Sequence, residues 1–422
     1  MMRKKINVLD LRPGMYISEL DRPWLETPFL FQGFEIQTEQ EIAEIKRYCS
    51  YVFVDEDKNP SLPHLRSSGA IAAQDKQVEL DILKKSAAPT RFLARYQDQT
   101  SVEQELEPAQ EYYFKNKELI VSIMDDARLG KSLDAEGAKQ AVTGMVSSIL
   151  RNPDALMCLT QLKNVDEYTT THCLRVCILA LSFGRHLGLS QDELYVLGMG
   201  ALFHDIGKMR VPVEILNKPA RLTHSEFEII KKHVPEGVAL LERTKGIPMS
   251  ALDIVRSHHE RVDGSGYMRG LKGNQISKFG QIAAIVDCYD AITSNRVYHS
   301  AMSAHEALKR IYTVRKKDFD ETYVEEFIRC VGIYPIGSLI ETNTGHVGVV
   351  MTINRARYLR PKIRLVLNQH KTRYANQPTV DLSLQARDEA GHPWEIKTVL
   401  EPGTYGINPV DFLPIRKALL KP

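Results

Sequence analysis

Seven side chains in the middle of the chain could do chemistry together. They are His172, the doublet His204-Asp205, His233, the doublet His258-His259, and Asp287. Successive groups lie 25 to 32 residues apart, about one helix plus a loop, so consecutive helices could each return a ligand to one level of a bundle. Imidazole nitrogens and carboxylate oxygens suit divalent first-row metals such as iron, manganese, nickel or zinc. Five histidines and two aspartates exceed what one ion needs, and two ions sharing a carboxylate fit the set better. Neighbouring residues on a regular helix diverge by about 100°. Each doublet therefore has to sit near a helix end, which Gly207 supplies for the first and Asp263-Gly264 for the second. Asp287 follows the apolar run "IAAIV", which would bury it, and a buried carboxylate is costly unless paired or metal-bound.

Any one of these residues has a plainer reading. A lone histidine is usually a hydrogen-bonded surface or core residue, and His186, His224 and His299 are read that way. Cys173 and Cys177, four apart on one helical face, are read as core thiols rather than soft ligands. Two doublets and three singles at matched intervals favour a site. Lys208, one turn beyond His204, and Arg296, nine residues after Asp287, could with Arg261 bind phosphate oxygens that metals leave free; the alternative for each is solvated surface charge.

The elements that must position these groups are helical. From about 100 to 330 the apolar spacing is that of helices, as in "VEQELEPAQEYYFKNKELIVSIMDDARLG" and "EYTTTHCLRVCILALSFGRHLGL". Ser190 with Glu193 and Thr223 with Glu226 have the spacing of capping boxes. Strand-like runs are nearly absent, so the region reads as an all-α bundle. Before it, "MYISEL" and "YVFVD" read as strands flanking the helix "TEQEIAEIKRYC", followed by a Pro-, Ser- and Gly-rich stretch. After it, "GSLIETNTGHVGVVMTI" places an Asn-Thr-Gly turn between two β-rich runs, and "KIRLVLN" adds another. The expected organisation is a small α+β domain over 1–56, a flexible linker over 57–100, a mainly α helical domain over 101–333 and a small antiparallel β appendage over 334–422.

Composition limits the function classes. The 422 residues are 43% hydrophobic and 26% charged, with a formal net charge of +2. That near balance argues against a nucleic-acid polymer as partner. No run of about 18 apolar residues suggests a membrane span, and the start lacks the apolar core of a signal peptide. Six scattered cysteines without a CxxC pair read as reduced, mostly buried thiols in a cytoplasmic protein.

"LFHDIGK" followed by "HHERVDGSGY" resembles the HD-GYP family of bacterial cyclic di-GMP phosphodiesterases. The resemblance extends over most of residues 150 to 330 and includes "DEYTTTHCLRV", "ILNKPARLTHSEFEIIKKHVPEG" and "IVDCYDAITSNRVY". The opening "LRPGMYISELDRPWLETPFLFQGFEI" is similar to a small domain of unknown function often found in front of such domains. The resemblance implies an HD-type helical bundle. His172, His204, Asp205 and Asp287 would hold one metal, and Asp205 would bridge to a second held by His233, His258 and His259. The implied cofactors are two divalent transition-metal ions, iron or manganese first. Lys208 and Arg296 match positions that contact substrate phosphate, and Gly264, Gly266 and Tyr267 belong to a signature loop linked to substrate access and partner contacts. Signalling proteins could dock through that loop or the terminal domains. Three positions depart from the pattern. Met268 stands where the signature has proline, which should loosen the loop. His299 stands where a basic residue is common. Tyr168 stands where some members have a glutamate serving a third metal, which favours two.

The expected reaction is hydrolysis of cyclic di-GMP to linear pGpG, with GMP following if the dinucleotide rebinds. Asp205 would serve the metal centre that supplies the nucleophile, and Lys208 is the candidate donor to the leaving 3′ oxygen. A cyclic di-GMP sensor with little turnover, and an HD hydrolase of another cyclic dinucleotide or nucleotide, are the competing readings.

Overall fold

The computed structural model of the chain describes residues 3–21, 34–36, 38–55, 77–82, 84–85, 92, 95–162, 168–218, 222–294, 301–384, 387, 391 and 393–415. They divide into two compact units, one holding 1–81 with 211–232 and the other 82–210 with 233–422.

In the first unit, strands β1 (Arg3–Asn7), β2 (Tyr16–Leu20), β3 (Phe34–Glu35) and β4 (Tyr51–Asp55) form an antiparallel sheet in the order β1-β4-β2-β3. Helix α1 (Glu39–Tyr48) begins at a capping box in which Thr38 and Glu41 satisfy each other's backbone N–H. Ile42 and Ile45 of α1 join Ile6, Ile17, Val52 and Val54 in the core of this unit. Short helices at Val213–Leu216 and His224–Lys231 also belong to it, the second capped by Thr223 and Glu226 as expected.

The second unit is a bundle carrying a β-sheet. Its helices are α2 (Val102–Leu129), α3 (Ala135–Arg151), α4 (Pro153–Leu159), α5 (Tyr168–His186), α6 (Gln191–Phe203), α7 (His233–Glu242), α8 (Met249–Ser257), α9 (Lys278–Ile292), α10 (Ala304–Val314) and α11 (Glu321–Val331). The second expected capping box, Ser190 with Glu193, starts α6. Apolar burial holds α5, α9 and α11 together: the Phe327 ring meets Phe183 and Tyr289 edge-on, each at 5.2 Å between centroids. The fold class is therefore the mainly α one expected.

Strands β5 (Leu339–Thr342), β6 (Val347–Thr352), β7 (Lys362–Leu367), β8 (Thr379–Asp381) and β9 (Ile396–Leu400) form an antiparallel sheet in the order β8-β7-β6-β5-β9. The Asn-Thr-Gly turn joins β5 to β6, closed by Thr342 N donating to His346 O at 2.8 Å. Arg355, after β6, reaches the buried Asp154 of α4 at 2.5 Å, and Lys362 reaches Glu103 of α2 at 3.1 Å, so charge pairs tie the sheet to the bundle.

The linker expectation over 57–100 needs correction at its carboxyl end. Lys85 pairs with Glu325 at 3.0 Å, and Phe92 stacks on Tyr323. Tyr96 donates its hydroxyl to Leu189 O at 2.8 Å, and Asp98 pairs with Arg185 at 2.8 Å. These residues are held against α11 and the end of α5. Their polar composition hid this, because the anchors are isolated side chains without periodicity. Residues 56–76 lie outside the described residues.

Candidate metal centre

Each expected ligand is delivered by a helix or a helix end. His172 lies in the first turns of α5, and Asp287 lies in the middle of α9. His204 caps the carboxyl end of α6, and the chain tightens through Asp205 into a 3₁₀ turn, Ile206–Arg210. His233 opens α7, and His258 closes α8 with His259 following. Both doublets thus sit where a helix stops, which lets adjacent side chains face one place. Gly207 makes room for this: a Cβ there would stand 1.9 Å from His233 O and 2.5 Å from Gly237 N.

All seven side chains come together, in two overlapping groups. The potential ligand atoms of His172, His204 and Asp287 lie within 4.8 Å of one another, as do those of Asp205, His233, His258 and His259. The carboxylate of Asp205 divides between them. Its Oδ2 lies 3.3 Å from His204 Nε2 and 3.7 Å from His172 Nε2. Its Oδ1 lies 3.4 Å from His233 Nε2 and 3.7 Å from His258 Nε2. Except for the half-buried His259, the seven are buried.

These groups fit a metal centre better than a hydrogen-bonded cluster. His204 Nε2, Asp205 Oδ1 and His259 Nε2 are buried without a hydrogen-bond partner among the described residues. Buried polar atoms rarely stay unsatisfied unless an ion or water is to be held. Nδ1 of His204 lies 2.7 Å from Ala201 O and Nδ1 of His258 lies 2.9 Å from Val255 O. Donation there leaves each Nε2 lone pair facing the cluster.

Electrostatics agree with this division. Burial opposes a charge on His204, yet the carboxylates of Asp205 and Asp287 overcome it and raise its pKa to about 10. Burial lowers the pKa of His258 and His259, helped by neighbouring imidazoles, and so keeps them neutral. Burial also opposes charge on Asp205 and Asp287, but Lys208 and His204 hold the first, and His172 and His204 the second, well below the usual carboxylate range. A cation entering the cluster therefore meets ionised oxygens, and it displaces a proton from His204.

Lys208 stands at the rim, 20% exposed, with its Nζ 2.5 Å from Asp205 Oδ2. Arg296 and His299 lie outside the described residues, as does the side chain of Tyr168. The signature loop is packed rather than loose. Tyr267 stacks on the His259 ring at 4.5 Å, and its N–H reaches His259 O at 3.2 Å. Gly264 has φ +85°, in the region that favours glycine. A Cβ on Gly266 would stand 2.5 Å from Arg261 N, Glu260 Cα and His259 O. The close approach at Gly266 is thus to the chain's own backbone. Met268 is 45% exposed.

Glu260 explains why the loop holds despite Met268. Its buried carboxylate accepts from Arg269 N at 2.7 Å and Leu271 N at 2.9 Å. Arg261 donates to the carbonyls of His258 and Glu260 and lies over the Phe319 ring. Glu260→Ala would orphan two loop N–H groups, a loss of about 1–3 kcal/mol. We expect limited proteolysis to cut within 263–272 in that variant and not in the parent, with metal binding retained.

Two further residues escaped the sequence reading. Asp290, one turn after Asp287, lies 2.7 Å from His172 Nδ1. Arg175, one turn after His172, grips Asp290 with two hydrogen bonds of 2.8 and 2.9 Å. Their i, i+3 offsets from expected ligands, His172 to Arg175 and Asp287 to Asp290, place them one turn from the ligands but carry no sign of their pairing.

The chain matches three family models: a domain of unknown function (DUF3391) over 3–138, an HD domain over 152–323, and a KOW domain associated with HD domain over 339–386. It is 33% identical over 383 residues to a cyclic di-GMP phosphodiesterase of Pseudomonas aeruginosa, covering 90% of this chain and 89% of that protein. The chain belongs to the HD-GYP family. Other HD-GYP relatives match over the helical domain. A cyclic di-GMP phosphodiesterase of Thermotoga maritima is 38% identical, covering 39% of this chain and 45% of that protein. A 3′3′-cGAMP-specific phosphodiesterase of Vibrio cholerae is 34% identical, covering 37% and 30%. The metal dependence of the HD-GYP family and the His/Asp cluster agree. No described helix is long and apolar enough to cross a membrane.

Proposed function

We propose that this chain hydrolyses the phosphodiester bonds of cyclic di-GMP, to pGpG and/or GMP, at a centre of two divalent ions, iron or manganese. The division of Asp205 carries the reading: one buried carboxylate presents an oxygen to each of two histidine groups. His172, His204 and Asp287 would hold one ion, and His233, His258 and His259 the other. Bound ions would make water acidic enough to act as a nucleophile near neutral pH and would offset charge on the phosphoryl oxygens. The protein's own contribution is to hold His172, His204 and His258 in the tautomer that presents Nε2, and to keep Asp205 and Asp287 ionised. Lys208 supplies a cation at the rim, for a non-bridging phosphate oxygen and for the proton needed by the leaving 3′ oxygen. Arg296, Gly264, Gly266 and Tyr267 belong to the substrate side of this reading, with Tyr267 anchored on a ligand histidine. The loop and the terminal domains are its candidate surfaces for signalling partners. Six buried cysteines without a CxxC pair fit a cytoplasmic setting.

The test is anaerobic purification, addition of Mn(II) or Fe(II), and chromatography of cyclic di-GMP beside the Asp205→Ala variant. Metal-dependent pGpG and/or GMP, absent from the variant, is expected. Tight binding without product would replace the enzyme with a sensor. Turnover of 3′3′-cGAMP with none of cyclic di-GMP would move the substrate toward that of the Vibrio cholerae relative. Lys208→Ala should lower kcat/KM by about 10–100-fold, the worth of a charged hydrogen bond of about 1.5–3 kcal/mol, with both ions still bound.

A further inference from the structure

His172 is held differently from His204 and His258. The Nδ1 atoms of His204 and His258 rest on carbonyl oxygens of their own helices. Nδ1 of His172 rests on a carboxylate of another helix, Asp290 Oδ2, at 2.7 Å. Its Nε2 lies 3.0 Å from Asp287 Oδ1 and faces the His204 side of the cluster. One imidazole thus lies between two carboxylates one turn apart on α9, with Nε2 inward and Nδ1 outward.

A carbonyl fixes the tautomer and orientation of an imidazole. A carboxylate also adds negative charge and makes the ring a stronger donor to a cation. That arrangement needs its own support, because Asp290 is 1% exposed. Arg175, also 1% exposed, provides it with Nε on Oδ1 at 2.8 Å and Nη2 on Oδ2 at 2.9 Å, while Nη2 reaches Ser294 Oγ at 3.2 Å. Buried ion pairs of this kind are often no better for stability than apolar side chains of the same volume. Stability alone therefore does not account for placing one behind a ligand, and no equivalent carboxylate stands behind His204 or His258, whose Nδ1 atoms are on carbonyls.

We propose that Asp290, held by Arg175, is a positioning residue that strengthens only the metal position built on His172, His204 and Asp287, and so sets the relative affinity of the two positions. This rests on the two-ion reading above, and not on the identity of the substrate. Removing the charge of Asp290 weakens one ion and spares the ion held by His233, His258 and His259.

The experiment is equilibrium dialysis of the metal-free full chain against Mn(II), with ions per chain measured by elemental analysis, for the parent, Asp290→Asn and Asp290→Ala. The parent is expected to bind two equivalents. In Asp290→Asn, which keeps the size and an acceptor oxygen, one equivalent should bind as in the parent. The other should weaken by about 10–100-fold, the scale for loss of an outer partner of a ligand histidine. Thermal melts of the metal-free proteins report the folding cost, since either substitution leaves the buried Arg175 guanidinium without its carboxylate; dialysis is run below the melt of each variant, and selective loss of one equivalent then separates positioning from folding. Asp290→Ala should show the same selective loss where it folds, and Asp290→Asn decides the question where it does not. Equal weakening of both equivalents, unchanged binding of both in Asp290→Asn, or a parent that binds fewer than two ions would overturn the proposal. A parent that binds two ions yet leaves cyclic di-GMP intact would defeat the substrate reading and leave this one standing.

Discussion

Asp205→Asn should cost more activity than loss of any cation at the rim. The two carboxylate oxygens face different histidine groups, Oδ2 toward His204 and His172, Oδ1 toward His233 and His258. A carboxamide has one acceptor oxygen and one NH₂ group, so whichever way it turns, one ion meets a donor instead of an acceptor. It also removes the negative charge that the shared position supplies to both. The expected loss in kcat is at least about 10²–10³-fold, the scale for removing one preorganised charge-stabilising group from an active site.

Its stability signature separates this from misfolding. In the metal-free parent the Asp205 charge is buried among imidazoles and beside Lys208, and removing it alone leaves those cations without their carboxylate, so the metal-free variant should melt below the parent. The comparison is therefore the Tm that each protein gains from metal. Ligand binding to the folded state alone stabilises by about 2.7 kcal/mol at a hundredfold excess over Kd. Mn(II) should raise the Tm of the parent clearly and that of Asp205→Asn much less. A variant that gains as much Tm from Mn(II) as the parent and keeps its turnover would refute the shared-carboxylate reading.

Why Asp205 could be picked from sequence and Asp290 could not is a matter of what each residue needs. The ligand histidines and Asp205 come as unusual types in doublets, one helix apart, beside residues that end helices. Type, spacing and local breaking all point one way. Asp290 and Arg175 are 115 residues apart in the chain, and each sits inside an apolar helix whose spacing does not separate a buried charge from one on a solvated face. Only the packing of α5 on α9 shows that both are buried and paired. Glu260 is a similar case: its partners are backbone N–H groups nine and eleven residues later, which no local spacing announces. The strands and helices were legible because their periodicity is carried by many residues. The anchors Lys85, Phe92, Tyr96 and Asp98 were not, because two ion pairs, one ring stack and one hydroxyl bond hold them without a pattern.

Gly207→Ala is the substitution expected to damage the centre most without touching a ligand. Alanine favours helix over glycine by about 1 kcal/mol, and propensity alone would make this change harmless in the turn of 206–210. Packing decides otherwise. The new methyl carbon would stand 1.9 Å from His233 O, 2.5 Å from Gly237 N and 2.8 Å from His233 C, all backbone atoms of α7 with no rotamer to yield. The start of α7 has to retreat from the 3₁₀ turn by more than an ångström, a distance that follows from ordinary carbon–oxygen contact. His233 moves with it, away from Asp205 Oδ1, to which its Nε2 now stands at 3.4 Å. We expect destabilisation at or above the upper end of the roughly 1–3 kcal/mol range for overpacking. With about 2–4 °C per kcal/mol for a domain of this size, the metal-free Tm should fall by roughly 6–12 °C. The ion held by His233, His258 and His259 should weaken more than the ion held by His172, His204 and Asp287, the reverse of the order expected for Asp290→Asn. A Gly207→Ala protein that melts with the parent and binds both Mn(II) equivalents as tightly would show that α7 does not depend on this contact for its position.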